Sequence, residues 1–359
     1  MTDACYTITD LGILPGFAHV SPKALNARGQ IIGDLRSDGK SSHAFFWGDG
    51  RMHPVATVSL TSINNQGQAV GTQYKHSRRG FDSFQAIIYQ DGVAAPLWGD
   101  GSLVSFAEAI NDSGQVVGHV MTHPEKIKSA EEARHDGFIW QDGVRRDLPL
   151  PPGYRRSKAV AVNQQGVVVG LAGWIWGEGQ MLEQAVLWDG DGVILLGSLP
   201  GYEESQAVAV NDQRQVLVRA GSQKREVLEE ITRRASAGVS SETLTQFEAD
   251  NYPLYSWRHF VWQDGHTQEI EARVACAIND HGQVVGSDGW LDNEFEQSPQ
   301  PLSAFIWQNG VKTNLQDLLP PESGWELTSA NDINNHGQII GNGLHNGQER
   351  AFLLTPLTH

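Results

Sequence analysis

A short segment that recurs seven times along the chain constrains its fold more than any other feature. The segment reads Asn-x-x-Gly-x-apolar-apolar-Gly, and successive copies begin 38 to 68 residues apart. The residues after the last copy, together with those up to the first, make one further interval of 51 residues. Seven copies at this spacing predict a β-propeller in which each copy forms one blade of a closed ring. The copies begin at Asn26, Asn64, Asn111, Asn163, Asn211, Asn279 and Asn334.

Each copy predicts four short antiparallel strands. In the fourth copy, the first strand ends at Asn163 and the second follows at once with residues 167–169. The Asn and the Gly of the intervening turn suit a type I turn with a G1 bulge, because that Gly takes a positive φ. The third strand ends in an aromatic residue before Asp-Gly or Asn-Gly, as at Asp142-Gly143. These dipeptides strongly indicate a hairpin that leads into a fourth strand.

The seventh copy lacks a fourth strand of its own. It reaches its third strand at residues 351–354 and then has too little chain for another. Residues 11–17 match residues 196–202, which close the fourth strand of the fourth copy. We therefore expect residues 6–11 to complete blade seven, since an open blade would leave an unpaired sheet edge. The prediction is an all-β, seven-bladed propeller that forms a single domain over residues 1–359.

The repeat resembles that of the bacterial HAF-repeat family, which is named for a His-Ala-Phe triplet. Here the triplet is His43-Ala44-Phe45, and residues 110–118 and 278–286 carry the Ile-Asn-x-x-Gly-Gln-Val-Val-Gly pattern. The Leu-Pro-Gly loops add to the resemblance, which covers essentially the whole chain. The resemblance implies a fold and carries over no catalytic residue.

Composition limits the partners. The chain has 26 Lys and Arg against 42 Asp and Glu, a net charge of -16. Such a surface repels nucleic-acid phosphates and acidic lipid headgroups, and no apolar run reaches the ~20 residues of a membrane span. The only cysteines, Cys5 and Cys276, exclude a disulfide framework. We expect a cytoplasmic protein, or a secreted one only if a signal peptide has been removed.

The strand order predicts two unlike faces of the disc. One face, called the turn face below, carries the Asn-x-x-Gly and Asp-Gly turns and is uniform. The other, the variable face, carries the connections between blades and the loops from second to third strand. Because all the long insertions lie on the variable face, we expect the binding surface there. The insertions are residues 72–84, 119–136, 171–184, 219–257 and 287–303.

Blade five departs furthest from the repeat. Arg214 and Val218 replace its two glycines, and Arg214 is expected in a left-handed conformation. Its insertion, residues 219–257, is the longest. Residues 223–236 have apolar positions on one helical face and Glu–Arg pairs at i,i+4, which predicts a helix. This helical insertion could be a lid or a docking helix, and equally a strand connection without a function.

Tryptophan placement suggests a ligand site. Five of the 11 tryptophans end third strands and are structural. Another five fall in predicted variable-face loops of neighbouring blades, among acidic residues. Aromatic faces with carboxylates suit a sugar or a cationic amine, although these side chains could also only cap the loops. The candidate ligand-binding residues, called the Trp/acidic arc, are Trp174, Trp176, Trp257, Trp290, Trp325, Asp288, Glu203 and Glu326.

Two weaker candidate sites contain histidine. His119, His123 and His135 lie on one insertion and could hold zinc, but no strand or loop spacing enforces a shared geometry, and we predict no metal site. Arg258 and His259 follow Trp257 at the end of the blade-five insertion. There His259 could act as a general base and Arg258 could hold an anion. No motif for a cofactor is present.

Two classes of function therefore stay open. In the first, the protein binds a small polar molecule, a glycan or a peptide through the variable face without transforming it. In the second, it is a lyase-, cyclase- or hydrolase-type enzyme with its site in a funnel on that face, under the blade-five lid. Since propellers host both classes, the fold does not decide. We favour binding because no acid–base pair or nucleophile stands out in the sequence.

Overall fold

The fold is a ring of seven four-stranded antiparallel sheets. The computed structural model describes residues 5–37, 43–55, 58–75, 83–98, 104–121, 135–176, 180–223, 225–236, 239–240, 243, 255–289 and 302–357. Each predicted repeat forms one blade, so the predicted seven-bladed propeller is confirmed.

The strands follow the predicted order, with a clasp strand before the first blade. The clasp is β1 (Tyr6–Asp10). Blade one contains β2 (His19–Leu25), β3 (Ile31–Arg36), β4 (His43–Gly48) and β5 (Arg51–Val55). Blade two contains β6 (Val58–Ile63), β7 (Ala69–Lys75), β8 (Ser83–Gln90) and β9 (Val93–Pro96). Blade three contains β10 (Val104–Ile110), β11 (Val116–Met121), β12 (His135–Gln141) and β13 (Val144–Asp147).

The second half of the ring repeats this arrangement. Blade four contains β14 (Arg156–Val162), β15 (Val168–Trp176), β16 (Gln180–Asp189) and β17 (Gly192–Gly197). Blade five contains β18 (Glu204–Val210), β19 (Val216–Gln223), helix α1 (Arg225–Ser236), β20 (Tyr255–Gln263) and β21 (His266–Ile270). Blade six contains β22 (Val274–Ile278), β23 (Val284–Asp288), β24 (Ser303–Gln308) and β25 (Val311–Asn314), followed by a 3₁₀ turn (Leu315–Leu318). Blade seven contains β26 (Trp325–Ile333), β27 (Ile339–His345) and β28 (Gln348–Pro356).

The clasp closes blade seven as predicted. Strand β1 pairs antiparallel with β28 from Tyr6 opposite Pro356 to Asp10 opposite Phe352. The ladder continues at Leu11, whose N–H donates to the carbonyl of Ala351. Tyr6 and Leu11 are buried in the core. The clasp therefore contributes both backbone pairing and apolar burial to the last blade.

The repeat asparagines form a closed ring of hydrogen bonds. Each Asn side chain accepts from backbone N–H groups of its own turn, as Asn211 Oδ1 does from Gln213 and Gln215. Its Nδ2 donates to the carbonyl of the next Asn, from Asn26 to Asn64 and onward until Asn334 returns to Asn26, over 2.8 to 3.1 Å. One residue type thus shapes the turn and links neighbouring blades, which explains its place in every copy.

The structure explains why arginine replaces the turn glycine at position 214 of blade five. In several blades the turn glycine lies against a glutamine of the preceding blade, as Gly166 does against Gln115. Blade four has the smaller, buried Val167 at this glutamine position. Arg214 takes a φ of 61°, as predicted, and its guanidinium lies 2.7 Å from the Asp189 carboxylate of blade four. The two departures from the repeat therefore fit each other.

The structure corrects the extent of the variable-face insertions in blades four and five. Residues 219–223 and 255–257 continue β19 and β20, and residues 171–176 and 180–184 continue β15 and β16. These segments form taller hairpins rather than loops. Helix α1 lies between β19 and β20, and its role as a lid stays a prediction. Among the described residues, no helix is long and apolar enough to cross a membrane.

Asp332 distinguishes the junction between blades seven and one. Its two carboxylate oxygens accept from the N–H groups of Leu25 and Ile333, each over 2.9 Å. Burial raises the pKa of Asp332 to about 7 and, together with the Asp332 carboxylate, raises that of Cys276 to about 11. The equivalent position holds alanine or serine in the other blades, namely Ala24, Ser62, Ala109, Ala161, Ala209 and Ala277.

Asp332 should make stability depend on pH. The pKa of Asp332 is raised from 3.8 in the unfolded chain to about 7 in the native state. Between pH 4 and pH 7, the native state therefore binds more protons than the unfolded state. The free energy of unfolding should therefore fall as pH rises from 4 to 7, by up to ~4 kcal/mol relative to Asp332→Ala. Denaturant unfolding of both proteins at pH 4, 5, 6, 7 and 8 measures this difference. A constant difference across the series would contradict the assignment.

Candidate functional site

One sector of the variable face differs in chemistry from the rest. The difference lies at two equivalent positions of each blade. One is the residue that follows the repeat-position glycine of the second strand (Val218 in blade five), and the other is its partner on the first strand. Blades three to five each have at least one large aromatic or cationic residue at these positions, whereas the other four blades have shorter side chains there. The pairs in blades three to five are His119 with Phe106, Leu171 with Lys158, and Arg219 with Gln206. The pairs elsewhere are Asp34 with Ser21, Thr72 with Ser59, Ser287 with Val274, and Asn342 with Ser329.

The first group of this sector, called the blade-five cluster, consists of Gln206, Arg219, Trp257 and His259 of blade five with Glu183 of blade four. The strand register places Gln206, Arg219 and His259 side by side on one sheet face, with Trp257 two residues along. Arg219 Nε donates to Gln206 Oε1 over 2.7 Å, and Gln206 Nε2 donates to the Glu183 carboxylate. The Arg219 guanidinium lies 4.8 Å from the Trp257 ring centroid. These contacts fix a cation, an amide and a carboxylate beside one indole.

Gly221 makes this arrangement possible. The Trp257 ring lies so close to the backbone of β19 that a Cβ at Gly221 would come within 2.6 Å of it. A larger residue would push the indole away from Arg219. The glycine therefore allows Trp257 to lie beside Arg219.

His259 occupies a position that is alanine or glycine in the other blades. The equivalents on the third strand are Ala44, Ala86, Gly137, Ala185, Ala304 and Ala351. His259 is 3% exposed, and its Nδ1 lies 3.3 Å from the Ala272 carbonyl. Burial, with a smaller effect from Arg219, lowers its pKa to about 4. The imidazole is therefore neutral at pH 7, with Nδ1–H directed to the carbonyl.

Arg258 does not join His259. Consecutive residues of β20 face opposite sides of the sheet, and Arg258 pairs with Ala220 rather than with Arg219. Its Nε donates to the Tyr202 hydroxyl over 3.2 Å and lies 3.9 Å from Glu269. The predicted pairing of an anion-holding Arg258 with a basic His259 is therefore wrong in its geometry, and Arg219 is the cation beside His259.

The structure also removes Trp325 from the Trp/acidic arc. Trp325 begins β26 and is 5% exposed. Its ring stacks on His345 at 4.6 Å and meets the edge of Phe352 at 5.9 Å. The prediction failed because β26 begins earlier than the sequence suggested, which places the indole in the core of blade seven.

The other arc residues do not form one group. Trp174 and Trp176 lie in β15 rather than in a loop, and Trp290 lies outside the described residues. Asp288 ends β23, where it forms a 2.6 Å ion pair with Lys312 and accepts from the N–H of Arg273. Glu203 and Glu326 are exposed on the loop before β18 and on β26, respectively. Trp257 is thus the arc residue that the described structure places in a cluster with polar side chains.

A second group in the sector is called the blade-three stack: Tyr74, Phe84, Phe106, His119 and His135. Phe84 stacks on Phe106 at 5.3 Å, and Phe106 stacks on His119 at 4.7 Å. His135 continues the stack at 6.1 Å from His119, and Tyr74 meets Phe84 edge to face at 5.5 Å. The stack therefore runs from blade two into blade three.

An ion pair borders the blade-three stack. Glu108 is the extra residue of a β-bulge in β10, and its Oε1 lies 2.8 Å from Lys158 Nζ and 3.5 Å from His119 Nδ1. Burial, then Lys158, then His135 lower the pKa of His119 to about 3. Burial and Arg156 are the main causes that lower the pKa of His135. Both imidazoles are therefore neutral at pH 7.

The blade-three histidines do not provide a metal centre in the described part of the chain. No group of three or more potential ligands converges among these residues, and His123 lies outside them. The cations that disfavour protonation of His119 and His135 also disfavour a metal ion at the same place. The neutral imidazoles instead serve as stacking surfaces.

The turn face carries an axial cavity of about 200 Å³. Aliphatic side chains such as Leu25 and Ile63 line it below a polar rim that includes Asp112, Asp212 and Asp280. The rim side chains accept backbone N–H groups of the preceding blade, as Asp280 Oδ1 does from Asp212 N over 2.7 Å. The rim is therefore already used to join blades.

Sequence reasoning missed Glu108, Lys158, Glu183, Gln206 and Arg219. All five lie on strands, and their contacts join residues that are distant in the sequence, although Glu183 and Arg219 fall within two of the predicted insertions. A position-by-position comparison of the copies would have found Lys158 and Arg219, because no other copy has a lysine or arginine at the equivalent position.

No protein-family model and no curated protein matches the chain. Among solved structures, the chain is similar to the β-propeller domain of the Trilobed protease from Pyrococcus furiosus, with a TM-score of 0.55 and 10% identity. That match covers 96% of this chain and 98% of the domain, whose topology is described as open velcro. Here, by contrast, β1 closes the last blade.

The chain is also similar to the acylaminoacyl peptidase of Pyrococcus horikoshii, with a TM-score of 0.54 and 11% identity. The match covers 98% of this chain and 54% of the peptidase, so the chain spans about half the length of that protein. At these identities, both comparisons show the propeller fold alone.

Proposed function

We propose that the protein is a ligand-binding β-propeller that recognises a small polar ligand of the carbohydrate type at the blade-five cluster. The observation that carries this proposal is the stack of Arg219 on Trp257 beside Gln206 and Glu183. It supplies an indole and several hydrogen-bond donors on the blade-five sheet, together with a carboxylate from the neighbouring strand β16 of blade four. Such a mixture of apolar and convergent polar groups is typical of small-molecule sites.

The charges favour a hydroxylated ligand over a cationic amine. An amine needs an accessible aromatic face and a carboxylate available for pairing. Here the Arg219 guanidinium already lies over the Trp257 ring, and its positive charge repels a second cation beside it. Sugar hydroxyls, by contrast, both donate and accept, so they can use the guanidinium, the amide and the carboxylate together.

Replacing Trp257 should abolish most of this binding. We expect Trp257→Ala to weaken glycan binding at least ~10-fold, since it removes the ring that holds the Arg219 guanidinium in place. A printed glycan array probed with labelled protein finds the ligand, and calorimetry with the best glycan measures the loss. Trp98→Ala is the matched control, because Arg145 lies 5.5 Å over the Trp98 ring in a similar pair beside blade two.

The control separates ligand recognition from general loss of a Trp–Arg pair. Folded Trp98→Ala should bind like the wild type. Equal loss in both variants, or full binding by folded Trp257→Ala, would contradict the proposed site.

His259 supports an enzymatic alternative. It is a neutral imidazole at a position where the other blades have only alanine or glycine, and it lies beside Arg219. An acid–base reaction on that face, with α1 as a lid, would use its Nε2 as the base. Incubating catalytic amounts of the protein with a host metabolite extract tests this alternative by mass spectrometry. Turnover that is lost in His259→Gln would support the alternative over simple binding.

A further inference from the structure

The blade-three stack combines exposed aromatic rings with a buried polar atom that has no hydrogen-bond partner in the described part of the chain. Tyr74 and Phe84 are 47% and 37% exposed, a large apolar exposure for side chains beside polar neighbours. Further along the stack, His119 is 7% exposed, and its Nδ1 makes no hydrogen bond to any residue that the structure describes. An unsatisfied buried polar atom is costly and calls for an explanation.

Glu108 is the group that can satisfy His119. Its Oε1 lies 3.5 Å from Nδ1, which is beyond a good hydrogen bond but is closed by a small shift of the carboxylate. A neutral imidazole beside a carboxylate favours the tautomer with the proton on Nδ1. Glu108 is held by Lys158 on its other side, at 2.8 Å. The Glu108 carboxylate therefore pairs with Lys158 and lies just beyond hydrogen-bond distance of His119 Nδ1.

We propose that the blade-three stack, Glu108 and Lys158 form a binding subsite for one neutral pyranose ring. The sugar lies along the exposed side of the stack, with its C–H groups against the Phe84 ring and its hydroxyls bound to the Glu108 carboxylate and the Lys158 ammonium. Binding moves Glu108 toward His119 and completes the Nδ1–H bond. The proposal deepens the proposed function, since it assigns a second sugar position on the same face, two blades from Trp257.

The surrounding charges select this ligand class. Lys158 and Arg156 create a positive environment that disfavours amines and metal ions, as their effect on the two histidines shows. Glu108 and the net charge of -16 disfavour anions. Because both cations and anions are disfavoured, the site favours a neutral ring with apolar C–H groups on one face and hydroxyls at its edge.

The test is an NMR titration of the full chain with methyl β-D-glucopyranoside, methyl β-D-galactopyranoside and methyl α-D-mannopyranoside. We expect at least one of them to bind and to shift the His119 Nδ1 signal. Phe84→Ala and Glu108→Gln should each weaken that binding at least fivefold. Ile194→Ala, at a 45% exposed residue of β17, is the control for loss of exposed apolar surface and should bind normally.

Trp257→Ala separates this proposal from the proposed function. Binding that survives in Trp257→Ala but falls in Phe84→Ala supports the subsite even if the blade-five cluster fails. Binding that is unchanged in folded Phe84→Ala and Glu108→Gln overturns the subsite and leaves the blade-five cluster to be judged separately. Failure of all three glycosides to bind overturns the subsite as well. So does a parallel titration in which phenol binds the stack and the glycosides do not.

Discussion

Removal of residues 1–11 should destabilise the propeller by at least ~4 kcal/mol and make it aggregate. The truncation eliminates the five-residue ladder with β28 and exposes the surfaces that Tyr6 and Leu11 cover. It also leaves β28 as an unpaired sheet edge. Because domain stabilities are generally about 5–15 kcal/mol, this loss removes a large part of the total. Thermal unfolding and size-exclusion chromatography measure the two effects.

Two controls distinguish the clasp from a general effect of shortening the chain. The double variant Thr7→Ala/Thr9→Ala alters exposed positions of the same strand and should change stability by less than ~1 kcal/mol. A synthetic peptide of residues 1–12 added in trans should restore part of the lost stability. A monomeric truncated protein that unfolds at the wild-type temperature would show that the clasp is dispensable.

Asn211→Asp should cost about 3–5 kcal/mol at pH 7, although it changes only one atom of the side chain. The Asn211 Nδ2 donates to the Asn279 carbonyl and to Gln215 Oε1, each over 2.8 Å. A carboxylate cannot donate to either oxygen, and it would be buried against both. Since burial favours the protonated carboxyl, the loss should shrink as pH falls toward 4.

Asn309→Asp is the matched control for the asparagine ring. Asn309 occupies an exposed hairpin turn with a φ of 51°, where Asp49, Asp91 and Asp142 adopt the same conformation in other blades. The same chemical change should therefore have little effect there. Chemical denaturation of both variants at pH 7 and pH 4 measures the difference. Similar stabilities for the two variants would refute an energetic role for the ring.

The sequence predicted the ring because its signals are local. An Asn and a positive-φ Gly separated by two residues define the turn, as Asn163 and Gly166 do, and Asp142-Gly143 defines the outer hairpin. Each of these signals depends on the backbone of a few adjacent residues. The clasp was predictable for a different reason, namely that a missing strand at one end matched an extra strand at the other.

The candidate site was less predictable because its contacts cross between strands and blades. Trp257 was found, but its partner Arg219 lies on another strand, and adjacent residues do not reveal that the two side chains meet. Trp325 was assigned to the surface because the start of β26 depends on packing against His345 and Phe352, which adjacent residues do not reveal. The unpartnered His119 nitrogen likewise follows from three-dimensional burial.

The most direct test of the account is ¹⁹F NMR of protein labelled with 5-fluorotryptophan, with signals assigned by single Trp→Phe variants. Neutral oligosaccharides that bind on the array are added, and all tryptophan signals are followed. We predict that the Trp257 signal shifts with saturation, while those of the structural Trp47, Trp188, Trp262 and Trp307 stay in place. Shifts confined to these structural tryptophans, with Trp257 unchanged, would contradict ligand recognition at the blade-five cluster.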